Sequence, residues 1–270
     1  MSVWSGTGED LRSATLVRMS DILEESGMDA GGQPSRLSGD AYPKNGSVDM
    51  EQRLGSARAT PTGVSWVPDE VVADCRQIWN RLQGASSLQS LAVTSALRGE
   101  GRSTVATGLA VVQRTVMQRT TVLVELDLSK PSFADQLGIR RAPGLAEALR
   151  GETPLVDCIQ WVEAHLGVLA AGNVGEDGDA MLAGLGQSGL LSRLALLCEF
   201  TVADLPPLPP AGIADAVADL FGSVLLVVLA GATPLPTVSR AAATLQTPPA
   251  VVLNRTVSAI PRRLRRILAS

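Results

Sequence analysis

The segment SALRGEGRST, residues 95–104, lies between an apolar stretch that predicts a β-strand and a stretch of small and apolar residues that predicts a helix. It departs at two positions from the phosphate-binding pattern G-x-x-x-x-G-K-[ST]. Gly101 and Ser103 match this pattern, whereas Ala96 stands in place of the first glycine and Arg102 in place of the lysine. Backbone N–H groups in such a turn, together with the positive end of the helix dipole, bind anions. The segment therefore predicts a phosphate-binding loop whose main cation is an arginine.

Arginine and lysine are not equivalent at this position. A lysine ammonium is a compact point charge, whereas a guanidinium is a planar fork on a longer stem. Arg102 can still bind a phosphate through two N–H groups. Catalysis of phosphoryl transfer, however, depends mostly on positioning. We therefore expect binding of ATP or ADP with Mg²⁺ to tolerate the exchange better than turnover does.

Strand-like and helix-like stretches alternate along the chain from Pro68 onward. Near-continuous apolar strands that alternate with helices indicate parallel pairing and right-handed crossovers. We therefore predict an α/β fold, a three-layer and mostly parallel sheet with helices on both faces. Its strands are expected within residues 88–96, 120–128, 166–172, 200–207, 223–231 and 249–256.

Two acidic residues lie near the end of the second predicted strand. Glu125 and Asp127 alternate with Leu126, so both carboxylates are expected on one side of the strand. Asp127 is the better candidate for a metal ligand or for activating an attacking hydroxyl, and an exposed acid at a strand end is the alternative interpretation. Lys130 follows closely and could supply cationic help that Arg102 does not.

A third acidic residue, Asp204, ends the fourth predicted strand. Ligands of parallel α/β sheets bind at the carboxyl edge, where these strand ends meet. We therefore predict Ser103, Asp127 and Asp204 as Mg²⁺ ligands, and Asp127 and Arg102 as the catalytic residues.

The composition excludes several classes of function. The chain has 270 residues, of which 45% are hydrophobic, and its net charge is −4 with 3% aromatic residues, which argues against a nucleic-acid partner. The longest apolar run is about half of the roughly 20 residues that a membrane-spanning helix needs. Three widely spaced cysteines are expected to be reduced and buried. With no signal-peptide pattern at the N-terminus, we expect a cytoplasmic protein, peripheral at most at the inner membrane.

Three regions are expected along the chain. The first region, residues 1–66, is predicted to form a helix at about 9–26 followed by a linker rich in Gly, Ser and Pro. The second, residues 67–258, is the P-loop NTPase-like domain, and the third, residues 259–270, is a basic tail. The helix is interpreted either as a docking helix for a partner or as a frayed tail, and the sequence favours neither.

The basic tail reads IPRRLRRILAS, in which apolar residues are surrounded by arginines. Such a segment can contact an anionic membrane surface or an acidic partner. A closing helix with solvated arginines is the alternative. The basic residues are Arg262, Arg263, Arg265 and Arg266.

The order of segments over about residues 70–256 resembles the cytoplasmic domain of bacterial tyrosine kinases, the BY-kinases, which belong to the MinD/ParA-type P-loop proteins. Among these segments are VTSALRGEGRSTVATGLA, VLVELDLSKPSFADQLGI, FTVADLPPLPPAGIADA and VVLNRT. The resemblance implies that Glu125 and Asp127 take the paired-aspartate positions of the Walker A′ motif and that Asp204 takes the Walker B position. It implies the following nucleotide-binding residues: Gly99, Glu100, Gly101, Arg102, Ser103, Thr104 and, near the adenine base, Asn254.

The resemblance also implies a setting and partners. BY-kinases work in polysaccharide synthesis and export and assemble as dimers or rings. The resemblance therefore implies a homo-oligomer, partnered by a polysaccharide co-polymerase or synthase component of the membrane, with ATP or ADP and Mg²⁺ as cofactors.

The departures from the family are as informative as the matches. Arg102 replaces the lysine, Glu125 the first aspartate, and Arg98 the usual proline, while the sole tyrosine is Tyr42, far from a tyrosine-rich tail. The sequence therefore favours a kinase-like regulator of exopolysaccharide synthesis or export with weakened catalysis. Two alternatives stay open: an active ATPase or tyrosine kinase acting on a partner, and a MinD/ParA-like positioning ATPase.

Overall fold

The computed structural model describes residues 67–82, 88–208 and 213–255, together with the backbone of residues 15–17. Within these residues eight strands form one sheet. They are β1 (Thr15–Val17), β2 (Ser90–Ser95), β3 (Thr121–Glu125), β4 (Gln160–Glu163), β5 (Leu166–Leu169), β6 (Phe200–Asp204), β7 (Val224–Leu229) and β8 (Ala250–Asn254). Their order across the sheet is β1-β8-β7-β2-β6-β3-β5-β4.

The helices of the described residues fill the connections between strands. They are α1 (Asp69–Leu82), α2 (Arg102–Thr115), α3 (Phe133–Leu137), α4 (Leu145–Arg150), α5 (Leu155–Cys158), α6 (Gly178–Ala183), α7 (Leu190–Ala195), α8 (Ala214–Ala218) and α9 (Leu235–Ala242), with a 3₁₀ turn at Leu185–Gln187. None of them has the length and apolarity that a membrane crossing requires.

The central strands pair in parallel, and both faces of the sheet are covered. The parallel part of the sheet consists of six strands, β2, β3, β5, β6, β7 and β8. Leu91 and Val93 of β2 pack in a cluster with α1 and α2, whereas Ala92 packs in the second cluster with helices of the opposite layer. This division follows from the alternation of side chains along a strand. The predicted three-layer α/β fold, with a strand in each of the six predicted ranges, is confirmed.

Both outer strands of the sheet are antiparallel to their neighbours, and neither strand was predicted from the sequence. β4 pairs with β5 across a tight turn in which His165 has a φ of +65°. Only four residues long, β4 is too short to leave a clear periodic signal.

The predicted helix at 9–26 is wrong at Thr15–Val17, which form β1 and pair antiparallel with residues 251–253 of β8. Thr and Val are β-branched and favour strands, and β8 would otherwise present unpaired backbone groups at the edge of the sheet. The rest of that helix, the linker and the basic tail lie outside the described residues, so the boundaries at 66 and 258 stay predictions.

All three cysteines are buried: Cys75, Cys158 and Cys198 are 1%, 0% and 7% exposed, and none forms a disulfide. Burial raises the pKa of each thiol, that of Cys198 to about 11. Because the thiolate is the reactive form, we expect the native protein at pH 8 to react with a thiol reagent at least about 100-fold more slowly than the unfolded chain. The rate is measured from the absorbance of the chromophore that the thiol reagent releases on reaction. One thiol that reacts rapidly without denaturant would contradict the burial.

Candidate nucleotide site

The loop between β2 and α2 lies at the carboxyl edge of the sheet. β2 ends at Ser95 and α2 begins at Arg102, and both neighbours of β2 run parallel to it. Gly99 and Gly101 have φ values of +83° and +88°, in the left-handed region that glycine adopts at little cost. A Cβ on Gly101 would collide with Nδ2 of Asn254. The loop therefore needs glycine at 101 both for its backbone conformation and for this close approach.

Glu100 fastens the loop to the end of β7. Its buried carboxylate accepts hydrogen bonds from the Leu97 N–H at 2.6 Å, from the Leu229 N–H at 3.0 Å and from the Thr233 hydroxyl. Its carbonyl accepts one from Nδ2 of Asn254 at 2.8 Å, at the end of β8. Glu100 and Asn254, both predicted to contact nucleotide, here hold the shape of the loop.

Arg102 turns inward and contacts two carboxylates. Its Nε donates to Oδ1 of Asp204 at 3.2 Å and its Nη2 donates to Oδ2 of Asp127. Ser103 donates its hydroxyl to Oδ2 of Asp204 at 2.6 Å. The side chain of Arg102 is 11% exposed and those of Asp127 and Asp204 are 4% and 2% exposed. The structure thus brings together the four residues predicted for catalysis and metal binding.

Arg98 closes this cluster from the solvent side. Its Nη1 donates to Oδ2 of Asp127 at 2.8 Å and its Nη2 donates to the hydroxyl of Ser129 at 2.8 Å. The Ser129 hydroxyl in turn donates to Oδ1 of Asp127 at 2.9 Å. Asp127 therefore contacts two guanidinium groups, and a ligand that reached it would have to displace at least one.

The environment of Asp204 opposes its charge. Burial raises the pKa of this carboxyl to about 7, and the nearby carboxylates of Asp127 and Glu125 act in the same direction, whereas Arg102 and the Ser103 hydroxyl lower it. An ionised Asp204 is therefore maintained chiefly by its contact with Arg102, since a buried charge is stable only when it is paired.

Comparison with known proteins agrees with this geometry. No family model matches the chain. It is 26% identical to the tyrosine-protein kinase YwqD of Bacillus subtilis over 147 residues, which cover 54% of this chain and 62% of YwqD. It is 27% identical to the succinoglycan biosynthesis transport protein ExoP of Rhizobium meliloti over 169 residues, which cover 61% of this chain and 21% of ExoP. A solved kinase domain, that of VpsO, superposes with a TM-score of 0.62 at 27% identity, covering 77% of this chain and 98% of that one. The chain is a homologue of bacterial tyrosine-kinase domains.

This kinase-like domain also shares the wider P-loop fold. The cell-division ATPase MinD of Pyrococcus furiosus superposes with a TM-score of 0.51 at 21% identity, covering 60% of this chain and 69% of MinD. At that identity the likeness concerns the fold alone. The resemblance to bacterial tyrosine-kinase domains that the sequence indicated is confirmed. The chain spans less than two thirds of the length of the curated relatives it matches, so their activities do not transfer directly to it.

Glu125 has a different role in the kinase-like domain from the one its motif position suggested. Its carboxylate accepts hydrogen bonds from the N–H groups of Ser132, Phe133 (2.8 Å) and Ala171 (3.0 Å). β3 ends at Glu125, so the strand alternation does not extend to Asp127, and the two acids contact different partners. Glu125 ties the start of α3 and the chain beyond β5 to the end of β3.

The positions of the remaining predicted residues say less about the site. Thr104 lies half-buried in the first turn of α2, and Lys130 is exposed. The cation that supplements Arg102 at Asp127 is Arg98, and from the sequence Arg98 was only a departure from the family's proline. A second cation within the loop was a signal that could have identified it.

The oxygen donors of Ser103, Asp127 and Asp204 are of the kind that Mg²⁺ prefers. As arranged here, however, the site does not fit a Mg²⁺ ion, because Arg102 occupies the space between the two carboxylates and contacts both. Among the described residues there is also no group of three or more His, Cys, Asp or Glu side chains that could hold a metal.

Proposed function

We propose that this chain is a divergent BY-kinase-like regulator of exopolysaccharide synthesis or export, acting at a membrane complex with weakened nucleotide turnover. The observation that carries the proposal is the pairing of Arg102 with Asp127 and Asp204. The residue that should contact phosphate instead neutralises the carboxylates that should assist the reaction.

The weakened turnover follows from positioning. Phosphoryl transfer depends on charges held against the developing transition state. Here the Arg102 guanidinium is buried and directed at two carboxylates, and Asp127 is further engaged by Arg98. An incoming phosphate would have to compete with these ion pairs. This competition allows nucleotide binding at most and makes phosphoryl transfer slow.

The setting and partners rest on the relatives. One is named a tyrosine-protein kinase and another a succinoglycan biosynthesis transport protein. We infer that the chain binds a polysaccharide co-polymerase or synthase component at the inner membrane and forms a homo-oligomer, a dimer or a ring. Membrane contact through Arg262, Arg263, Arg265 and Arg266 belongs to the same proposal.

The first test is ATP turnover by the purified chain with Mg²⁺. Phosphate release and phosphotyrosine formation on a tyrosine peptide are expected to be at least about 100-fold below the roughly 1–100 s⁻¹ that is typical of kinases. Asp127→Ala, checked by thermal unfolding, supplies the background. Turnover in the typical range that disappears in Asp127→Ala would replace the proposal with an active enzyme.

The same variant tests regulation in the cell. Deletion of the gene in the source organism is expected to lower exported polysaccharide, and a folded Asp127→Ala chain is expected to restore it, because the role does not depend on turnover. Export that is unchanged by the deletion would contradict the proposed setting.

A second candidate function is an active ATPase or kinase that acts on a partner. The observation that favours it is the 2.6 Å contact between the Ser103 hydroxyl and Asp204, which keeps two of the three predicted metal ligands side by side. The turnover assay above decides between the two functions.

A further inference from the structure

The guanidinium of Arg102 lies between the two carboxylates that the sequence assigns to a Mg²⁺ site. Its Nε donates to Oδ1 of Asp204 at 3.2 Å, and its Nη2 donates to Oδ2 of Asp127. A guanidinium has five N–H donors spread around a rigid plane, so one group can contact two carboxylates in fixed directions. A lysine ammonium is a point charge on a flexible stem and lacks this spread.

Every carboxylate oxygen of the pair accepts a hydrogen bond. Besides the two from Arg102, Oδ1 of Asp127 accepts one from Ser129 at 2.9 Å and Oδ2 one from Arg98 at 2.8 Å. Oδ2 of Asp204 accepts one from Ser103 at 2.6 Å. Two guanidinium groups and two carboxylates leave the cluster formally neutral. Mg²⁺ loses its hydration water reluctantly and demands well-placed oxygen ligands, and here each such oxygen already has a donor.

We propose that the Arg102 guanidinium takes the place of the divalent cation, so that the loop binds nucleoside di- or triphosphate without Mg²⁺. The backbone N–H groups of residues 99–104 remain to bind the phosphates. Arg98, whose side chain is 48% exposed, is the cation that could turn toward them, by giving up its contacts with Asp127 and Ser129. This inference rests on the proposed function and deepens it, because it names the reason for low turnover.

The first experiment uses the full wild-type chain with Mn²⁺ as a paramagnetic probe for Mg²⁺. Without nucleotide, the wild type at millimolar concentration is expected not to bind Mn²⁺, so the electron paramagnetic resonance signal of free Mn²⁺ should stay unchanged. In calorimetry, the Kd of ATP is expected to agree within about twofold between buffers that contain Mg²⁺ and EDTA. In a site that binds phosphate through its metal, EDTA would instead weaken binding by at least about tenfold.

Arg102→Met tests the role of the guanidinium directly. It keeps an unbranched side chain but leaves Asp127 and Asp204 without their shared cation. The variant is expected to have a lower Tm than the wild type, to bind Mn²⁺, and to recover Tm when Mg²⁺ is added, since a ligand of the folded state stabilises it. Arg102→Met combined with Asp204→Asn is expected to lose the Mn²⁺ binding. If Arg102→Met does not fold, the wild-type titrations with Mn²⁺ and ATP decide alone.

Three results would overturn the inference: Mn²⁺ binding by the wild type that Asp204→Asn removes, ATP binding that requires Mg²⁺, or no ATP binding in either buffer. None of them touches the proposed regulatory function, which fails instead on rapid turnover or on unchanged polysaccharide export.

Discussion

Replacing Glu125 by glutamine is expected to destabilise the protein by about 2–4 kcal/mol, because the change leaves at least one buried N–H without an acceptor. The carboxylate accepts from Ser132 and Phe133 through Oε1 and from Ala171 through Oε2. An amide retains only one acceptor oxygen, and its NH₂ would face an N–H donor whichever way it is turned. Urea denaturation measures the change in the free energy of unfolding from the shift in midpoint.

Glu152→Gln is the matched control for this prediction. Glu152 is exposed, and removing a surface charge is expected to change stability by no more than about 0.5 kcal/mol. If Glu125→Gln were as mild as its control, Glu125 would not tie these segments together. Its motif position beside Asp127 would then again suggest a role at the loop.

The sequence was sufficient to predict that the candidate residues lie together, because they are placed by strand ends. In a parallel sheet the carboxyl ends of neighbouring strands meet at one edge. Asp127, just beyond β3, and Asp204, at the end of β6, therefore had to lie near the loop after β2, whatever the detailed packing. The fold class was predictable for a similar reason, since buried parallel strands such as β7 are apolar along their length.

The partners of each side chain could not be predicted in the same way. Arg102 lies 102 residues from Asp204 along the chain, and the direction of its guanidinium depends on what else is charged nearby. The case of Glu125 is similar, because its carboxylate oxygens accept from backbone N–H groups of two different segments, at Phe133 and at Ala171. Propensity and periodicity carry no information on such pairings. The strand β1 was missed because three residues are too few to show a strand pattern, although they pair with the edge of β8.

Gly101→Ala is expected to destabilise the protein by about 2–5 kcal/mol, the sum of two costs. An alanine at a φ of +88° occupies a left-handed conformation that costs about 1–2 kcal/mol. Its Cβ would also displace Nδ2 of Asn254 and break the 2.8 Å hydrogen bond to the Glu100 carbonyl, which adds about 1–3 kcal/mol. Urea denaturation again gives the change in the free energy of unfolding.

Gly99→Ala separates the two costs. Gly99 has nearly the same φ, +83°, but no atom lies within 4 Å of its Cβ position, so only the conformational cost of about 1–2 kcal/mol is expected. In a double-mutant cycle, Gly101→Ala with Asn254→Ala is expected to cost less than the sum of the single changes by about 1 kcal/mol or more, since removing Asn254 relieves the collision. Strict additivity, or equal effects of the two glycine replacements, would mean that Asn254 does not support the loop. Asn254 would then be free to contact a base, the role that its motif position implied.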